Sequence, residues 1–263
     1  MDLARISTGI AGLDSLLGGG FVKGRSYLVT GDTGTGKTTA CLQFLVSGLA
    51  KGEKAVYVTV DERPAEILAS AASFSWDLQP HIQGKSLVIL DAASSSAAEK
   101  GIDPQKMVAD LGSYAKSLGA TILIVDPITP LLLPANPATP VQVHARALIQ
   151  LIQTQLNMTT LFTSHASRVR DPDAVHIEQF LASGVLVLKT SESDGHCERT
   201  VHIKKMRYTP AAPGEYPFTM VNNQGIVLLE SSSNGASGAS PVEPLRPSES
   251  QFFQSFKLED KDS

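Results

Sequence analysis

Gly31-Asp32-Thr33-Gly34-Thr35-Gly36-Lys37-Thr38, with Thr39 directly after it, decides how this chain reads. The spacing G-x-x-x-x-G-K-T is the P-loop pattern, and its context supports it. An apolar run, Ser26-Tyr27-Leu28-Val29-Thr30, precedes the loop, and a helical pattern from Thr38 to Leu49 follows. Strand, glycine loop and helix start in that order aim backbone N–H groups and the positive end of a helix at phosphate oxygens. Lys37 is expected to reach the β- and γ-phosphates, and the Thr38 hydroxyl to ligate Mg²⁺, a hard cation that prefers oxygen. Residues 31–39 are therefore the candidate nucleotide cradle.

Outward from the loop, strands alternate with helices, which predicts an α/β domain with a mostly parallel sheet. Residues 7–24 are expected to form a short amphipathic helix between glycine turns, with Ile10, Leu13, Leu16 and Leu17 facing a core. Lys54 to Val60 reads as a buried strand, and Asp61-Glu62-Arg63-Pro64 follows at its carboxyl end, with Pro64 opening a helix. Acids at such a strand end, beside a P-loop strand, suit a general base for an attacking water. The competing reading is capping of the helix that follows. Ser86–Asp91 is the next strand, residues 92–103 a surface loop, and Pro104–Leu118 a helix closed by Gly119. Thr121-Ile122-Leu123-Ile124-Val125-Asp126 is an apolar strand ending in a carboxylate, the Walker B pattern, which makes Asp126 the second candidate for holding Mg²⁺.

Pro127, Pro130, Pro134, Pro137 and Pro140 mark a stiff excursion before a helix over Val141–Leu156. A strand over Thr159–Thr163 ends at Ser164-His165, a polar pair placed to sense a γ-phosphate or simply to close the strand. The segment 166–176 reads as an aperiodic loop. Val185–Leu188 and Thr200–Lys205 are strands joined by Ser193-Asp194-Gly195, with Lys204, Lys205 and Arg207 clustered at the end of the second. Phe218–Val221 and Gly225–Leu229 form a last hairpin through Asn222-Asn223. Ser231–Ser250 is rich in Ser, Gly, Pro and Ala and is expected to be disordered. The domain expectation is thus 1–230 for the core and 231–263 for a tail whose Phe252, Phe253 and Phe256 could dock on a partner.

With 263 residues, 42% of them hydrophobic, the chain suits one large domain plus a tail. A net charge of −4 gives no basic excess for nucleic acid. Two cysteines, Cys41 and Cys197, suggest neither a zinc site nor a disulfide framework. No apolar leader or membrane span is read, so the cytoplasm is the expected compartment.

Several blocks resemble the KaiC family of RecA-like ATPases. They are Thr8-Gly9-Ile10, Gly12-Leu13-Asp14 and Gly18-Gly19-Gly20 before the loop, and Val58–Pro64 and Ser73–Leu78 after it. More specific still are Lys205-Met206-Arg207-Tyr208-Thr209 and Gly214-Glu215-Tyr216-Pro217-Phe218-Thr219. The resemblance implies a RecA-like P-loop NTPase core: a twisted, mostly parallel sheet with helices on both faces and antiparallel strands on the C-terminal side. It implies ATP and Mg²⁺ bound between subunits of a homohexameric ring, with slow turnover and a regulatory role. It places the family's paired acids on Asp61 and Glu62, with Glu62 as principal base. It places residues acting on the neighbour's nucleotide on Lys205, Met206 and Arg207, with Arg199 as a weaker candidate. Two departures stand out: Tyr208 where the family has glycine, and Ala211 where it has histidine. His176-Ile177 is followed by Glu178-Gln179 rather than by Ser-Thr phosphoacceptors, so autokinase activity is not expected. The alternatives are a nucleotide-gated scaffold with little turnover and, behind it, a RecA- or RadA-like recombination ATPase.

Overall fold

The structure, a computed structural model, describes residues 3–92, 104–134, 138–165, 179, 181–193, 196–211 and 214–229. The loop expected over 92–103, apart from Ala92, the segment expected over 166–176, the turn at Asp194-Gly195 and the tail from 231 lie outside them.

The elements run β1 (Arg5–Ile6), α1 (Leu13–Leu16), β2 (Phe21–Val22), β3 (Ser26–Gly31), α2 (Lys37–Ala50), β4 (Ala55–Thr59), α3 (Pro64–Ser73), α4 (Gln79–Gln83) and β5 (Leu87–Asp91). They continue with α5 (Pro104–Leu118), β6 (Ile122–Asp126), a 3₁₀ turn (Thr129–Leu132), α6 (Val141–Gln155), β7 (Thr159–His165), β8 (Gly184–Ser193), β9 (His196–Met206), β10 (Gly214–Val221) and β11 (Gly225–Leu228). Nine strands form one sheet in the order β11-β10-β9-β8-β3-β7-β6-β4-β5. The six from β8 to β5 are parallel, and β9, β10 and β11 join antiparallel. This is the RecA-type α/β architecture with an antiparallel C-terminal side.

Alternation along the central strands sends successive side chains to opposite faces. Tyr27, Val29, Tyr57, Ile122, Ile124 and Leu161 pack with α2 and α3 on one face. Leu28, Val56, Val58, Leu123, Val125 and Phe162 pack with α5 and α6 on the other. Both faces are covered, which is why the strands read as continuous apolar runs. Gly48 lets α2 lie close on the sheet, since a Cβ there would strike the Ile122 side chain.

The short helix expected within 7–24 is present as Leu13–Leu16, between Gly12 and Gly18, while Phe21 and Val22 pair with Ile6 and Arg5, just ahead of the segment, as the β1–β2 ribbon. Asp14 competes with further helix. Its carboxylate accepts the Thr8 backbone N–H at 2.8 Å and the Ser7 and Thr8 hydroxyls, which fixes an extended approach.

The two ends of the described domain meet on α2. Gln43 donates to the carbonyls of Gly9 at 3.1 Å, Gln224 at 2.8 Å and Ile226 at 3.0 Å, and accepts the Ile226 N–H at 2.7 Å. The N–H of Leu228 donates to the carbonyl of Ala11 at 3.0 Å.

Candidate functional site

The carboxyl ends of β3, β4, β6 and β7 open on one cleft of about 350 Å³. Thr33, Gly34, Gly36, Lys37, Thr38 and Thr39 line it from the loop, Asp61 and Glu62 from the end of β4, Asp126 from β6 and His165 from β7. The loop conformation depends on glycine at its helix start: Gly36 has φ +102°, and a Cβ there would meet the Met220 side chain. Within the loop, the Thr35 hydroxyl donates to the Asp32 carbonyl at 2.8 Å.

Lys37 turns back over the loop and donates to the carbonyls of Gly31 at 2.9 Å and Asp32 at 2.8 Å. Burial pulls its ammonium below the usual lysine range, opposed by the negative charges of Asp126 and Asp32. Two neutral carbonyls are weaker acceptors than ionised phosphate oxygens, so the ammonium is set to exchange partners.

Asp126 is held from both sides. Tyr57 on β4, fully buried, donates its hydroxyl to Oδ2 at 2.7 Å, and Thr163 on β7 donates its hydroxyl to Oδ1. The register puts Tyr57 on the same face as Asp126 but two residues back, since Thr59 pairs with Asp126 and Tyr57 with Ile124, so the long phenol side chain reaches along the sheet to the carboxylate. Burial, and next the negative charge of Asp126, push the Tyr57 phenol far above its ordinary value, so it stays a donor.

Asp61 and Glu62 do not cap α3. That role is filled within the helix: the Arg63 N–H donates to Glu66 Oε2 at 2.7 Å. Instead the Thr59 hydroxyl donates to the Glu62 carbonyl at 2.6 Å and the Val60 N–H donates to the Asp126 carbonyl at 3.0 Å, fixing the turn that presents both acids to the cleft. Burial, helped by Asp126, Glu66 and Asp61, raises the Glu62 carboxyl above the usual carboxylate range, which makes it a stronger base when ionised. Asp61 Oδ2 lies 3.6 Å from His165 Nε2, both side chains half exposed.

Lys205, Met206 and Arg207 are elsewhere. Met206 pairs with Gly184 and Lys205 with Val185, and Gly184 in turn pairs with Tyr27 near the start of β3. The three residues therefore stand at the end of the sheet opposite the P-loop, and none lines the cleft. Lys205 donates to the Gln179 carbonyl at 3.0 Å, and its ammonium is lowered by burial and then by Arg207.

The chemistry of the donor set fits Mg²⁺ carried by a nucleotide. Thr38 and Asp126 offer hard oxygens, and among the described residues no group of three or more His, Cys, Asp or Glu could hold a metal unaided. Mg²⁺ is commonly bound in that way, by one or two protein oxygens plus substrate phosphates.

Comparison with known proteins agrees with this geometry. The family model described as "ATPase: KaiC" matches residues 6–233. The chain belongs to the KaiC ATPase family. The circadian clock oscillator protein KaiC of Parathermosynechococcus lividus is 32% identical over 249 residues, covering 90% of this chain and 46% of that one. That of Synechococcus elongatus is 30% identical over 226 residues, covering 84% and 43%. The chain thus spans about half the length of the curated relatives it matches. The crystal structure of a KaiC-like protein from Pyrococcus horikoshii OT3 superposes with a TM-score of 0.73 at 32% identity, covering 87% of this chain and all of that one. As in other P-loop ATPase families, nucleotide binding and ATP hydrolysis are the general activity this membership implies. Among the described residues, no helix is long and apolar enough to cross a membrane.

Four residues escaped the sequence reading. Tyr57 and Thr163 looked like ordinary strand positions, while Ile67 and Met220 give the cleft an apolar flank. Only the strand order of the structure, with β4 and β7 on either side of β6, marks Tyr57 and Thr163 as partners of Asp126.

Proposed function

We propose that this KaiC-family chain is a Mg²⁺-dependent ATPase that binds ATP between subunits of a homohexameric ring and hydrolyses it slowly, as a timer or switch. One observation carries the reading. The cleft gathers Lys37, Thr38, Asp61, Glu62 and Asp126, while Lys205 and Arg207 face away at the other end of the same sheet. Acids and cradle at one end and cations at the other suit head-to-tail association, in which each cleft takes its second set of cations from a neighbour.

In this reading, residues 31–39 hold the phosphates, and Lys37 leaves its loop carbonyls for the β- and γ-phosphate oxygens. Thr38 and Asp126 would hold Mg²⁺, the Asp126 carboxylate being aimed by Tyr57 and Thr163. Bound Mg²⁺ would offset phosphate charge. Glu62 accepts the proton of the attacking water, with Asp61 as helper. Lys205 and Arg207, from the adjoining subunit, stabilise charge that builds on the γ-phosphate, and Met206 places its backbone against the same nucleotide. Residues 1–230 form the ATPase domain, and 231–263 a tail open to a protein partner.

Light scattering with and without Mg-ATP, alongside phosphate release, tests the proposal on the parent, Lys37→Ala, Glu62→Gln and Arg207→Ala. Hexamers in parent and Glu62→Gln, with hydrolysis lost in the mutants, is the expected result. A monomer under every condition, or full hydrolysis by Lys37→Ala, would overturn it.

A further inference from the structure

The turn after β9 carries an anomaly. Tyr208 has φ +63°, a left-handed conformation that a bulky side chain rarely adopts, and its ring is half exposed. Neither burial nor a tight hairpin accounts for it. Such outliers persist where the surroundings over-determine them, and here the surroundings are two arginines. Arg5 Nη2 donates to the Tyr208 carbonyl at 3.1 Å, and Arg5 Nη1 donates to the Thr209 hydroxyl at 3.0 Å. The same Nη1 donates to the carbonyls of Leu17 and Gly20, each at 2.9 Å, so one guanidinium ties the turn to the end of α1 and the start of β2. The Arg25 guanidinium carbon lies 4.9 Å from the centroid of the Tyr208 ring, a cation–π contact. On the near side, the Arg207 N–H donates to the Ser183 carbonyl at 2.8 Å.

We propose that Tyr208, clamped by Arg5 on its carbonyl and Arg25 on its ring, is a positioning residue that sets the direction in which Arg207 leaves the sheet. Arg207 is pinned on its near side by the Ser183 carbonyl and steadied on its far side through the Tyr208 step, so loosening that step lets the Arg207 backbone, and the guanidinium it carries, take more than one course while β9 stays in place. Glycine would permit the same conformation and also several others. A clamped tyrosine keeps one. The benefit falls on the subunit whose nucleotide Arg207 meets, and the inference therefore rests on the trans role given to Arg207 above.

The test compares ATP hydrolysis, mass in solution and thermal unfolding for Tyr208→Asn, Tyr208→Phe, Arg25→Met and Arg207→Ala, and for Tyr208→Asn combined with Arg207→Ala. Asparagine tolerates the left-handed region and removes the ring. Tyr208→Asn is expected to lower kcat by about tenfold with KM for ATP and ring mass held, while Tyr208→Phe stays close to the parent. Arg25→Met, which leaves the turn's backbone untouched, is expected to lower kcat by about threefold, the scale of one exposed cation–π contact. In the Arg207→Ala background, Tyr208→Asn should cost nothing further. If Arg207→Ala hydrolyses like the parent, the trans role fails and the inference falls with it. If Arg207→Ala is impaired while Tyr208→Asn and Arg25→Met are not, or if the two losses simply multiply, the positioning role alone is refuted.

Discussion

Replacing Tyr57 with Phe removes one oxygen and nothing else. The ring stays fully buried between α2 and the sheet, so no cavity of consequence opens. What is lost is the hydroxyl that reaches Asp126 Oδ2 at 2.7 Å. A hydrogen bond to a charged group contributes about 1.5–3 kcal/mol. Asp126 is itself buried, so water cannot freely replace the donor, and Thr163 already serves the other carboxylate oxygen. The expected loss of stability is therefore about 1.5–3 kcal/mol, or roughly 3–12 °C in Tm for a domain of this size. Trp76, the single tryptophan, reports the transition: it stacks on Phe74 with centroids 4.9 Å apart and donates to the Asn223 carbonyl at 3.2 Å. Urea unfolding of the parent, Tyr57→Phe, Asp126→Asn and the double variant closes a cycle. With Asp126→Asn the bond becomes neutral, and the cost of Tyr57→Phe should fall to about 0.5–1.5 kcal/mol. A loss below about 0.5 kcal/mol, or one of equal size in both backgrounds, would refute the claim that Tyr57 acts through the carboxylate.

Further outcomes are expected. Because the Glu62 carboxyl lies above its ordinary value of 4.5, the acid limb of kcat/KM for ATP hydrolysis should lie above the ordinary glutamate range, and Glu62→Gln should remove activity and limb together. The sign for stability is opposite: a raised folded value favours the protonated form, so that contribution is present below 4.5 and fades as pH rises through the folded value. Glu53 behaves conversely. Its carboxylate, lowered first by the Lys23 hydrogen bond and then by Thr121, contributes stability above its unfolded value that is lost as pH falls through the folded one. Glu53→Gln should cost under about 1 kcal/mol near neutrality in chemical denaturation, and almost nothing in acid. Gly9→Ala should cost roughly 2–4 kcal/mol by the same measurement, since φ is +78° and the new Cβ would meet the Gln43 backbone carbonyl.

Much of the fold was legible because the central strands are apolar on both faces and stop abruptly at functional residues. Asp126 ends β6 in the structure as in the sequence, β3 runs one residue past the expected Thr30 to Gly31, and α2 begins one residue earlier, at Lys37. Gly119, with φ +72°, closes α5 as expected. Less was legible where order comes from distant partners. The β1–β2 ribbon has two residues per strand, too few for any periodicity, and Arg5 holds it through carbonyls that no local pattern announces. β10 begins at Gly214 rather than Phe218 because Glu215, Tyr216 and Pro217 lie on a half-exposed strand whose partner is β9, and their polarity masks the alternation. The 3₁₀ turn at Thr129–Leu132 hid among prolines. In the cleft, the residues with a chemical signature were found from spacing. The residues that aim them, Tyr57 and Thr163, were not, because a hydroxyl on an apolar strand gives no hint of which neighbouring strand will present a carboxylate to it.

The grip of Gln43 on both ends of the domain sets an order of events during synthesis. Its amide is buried, and a buried amide without partners is costly. Two of its four bonds go to Ile226, which leaves the ribosome 183 residues later. At cellular elongation rates that is a wait of roughly 10–40 s. Throughout it, the helix that presents Lys37 and Thr38 lacks its outer cover, so the nascent chain carries a complete phosphate-binding motif on an unfinished support. The helix that carries Lys37 and Thr38 is thus fully supported only once residues made 183 positions after Gln43 are in place.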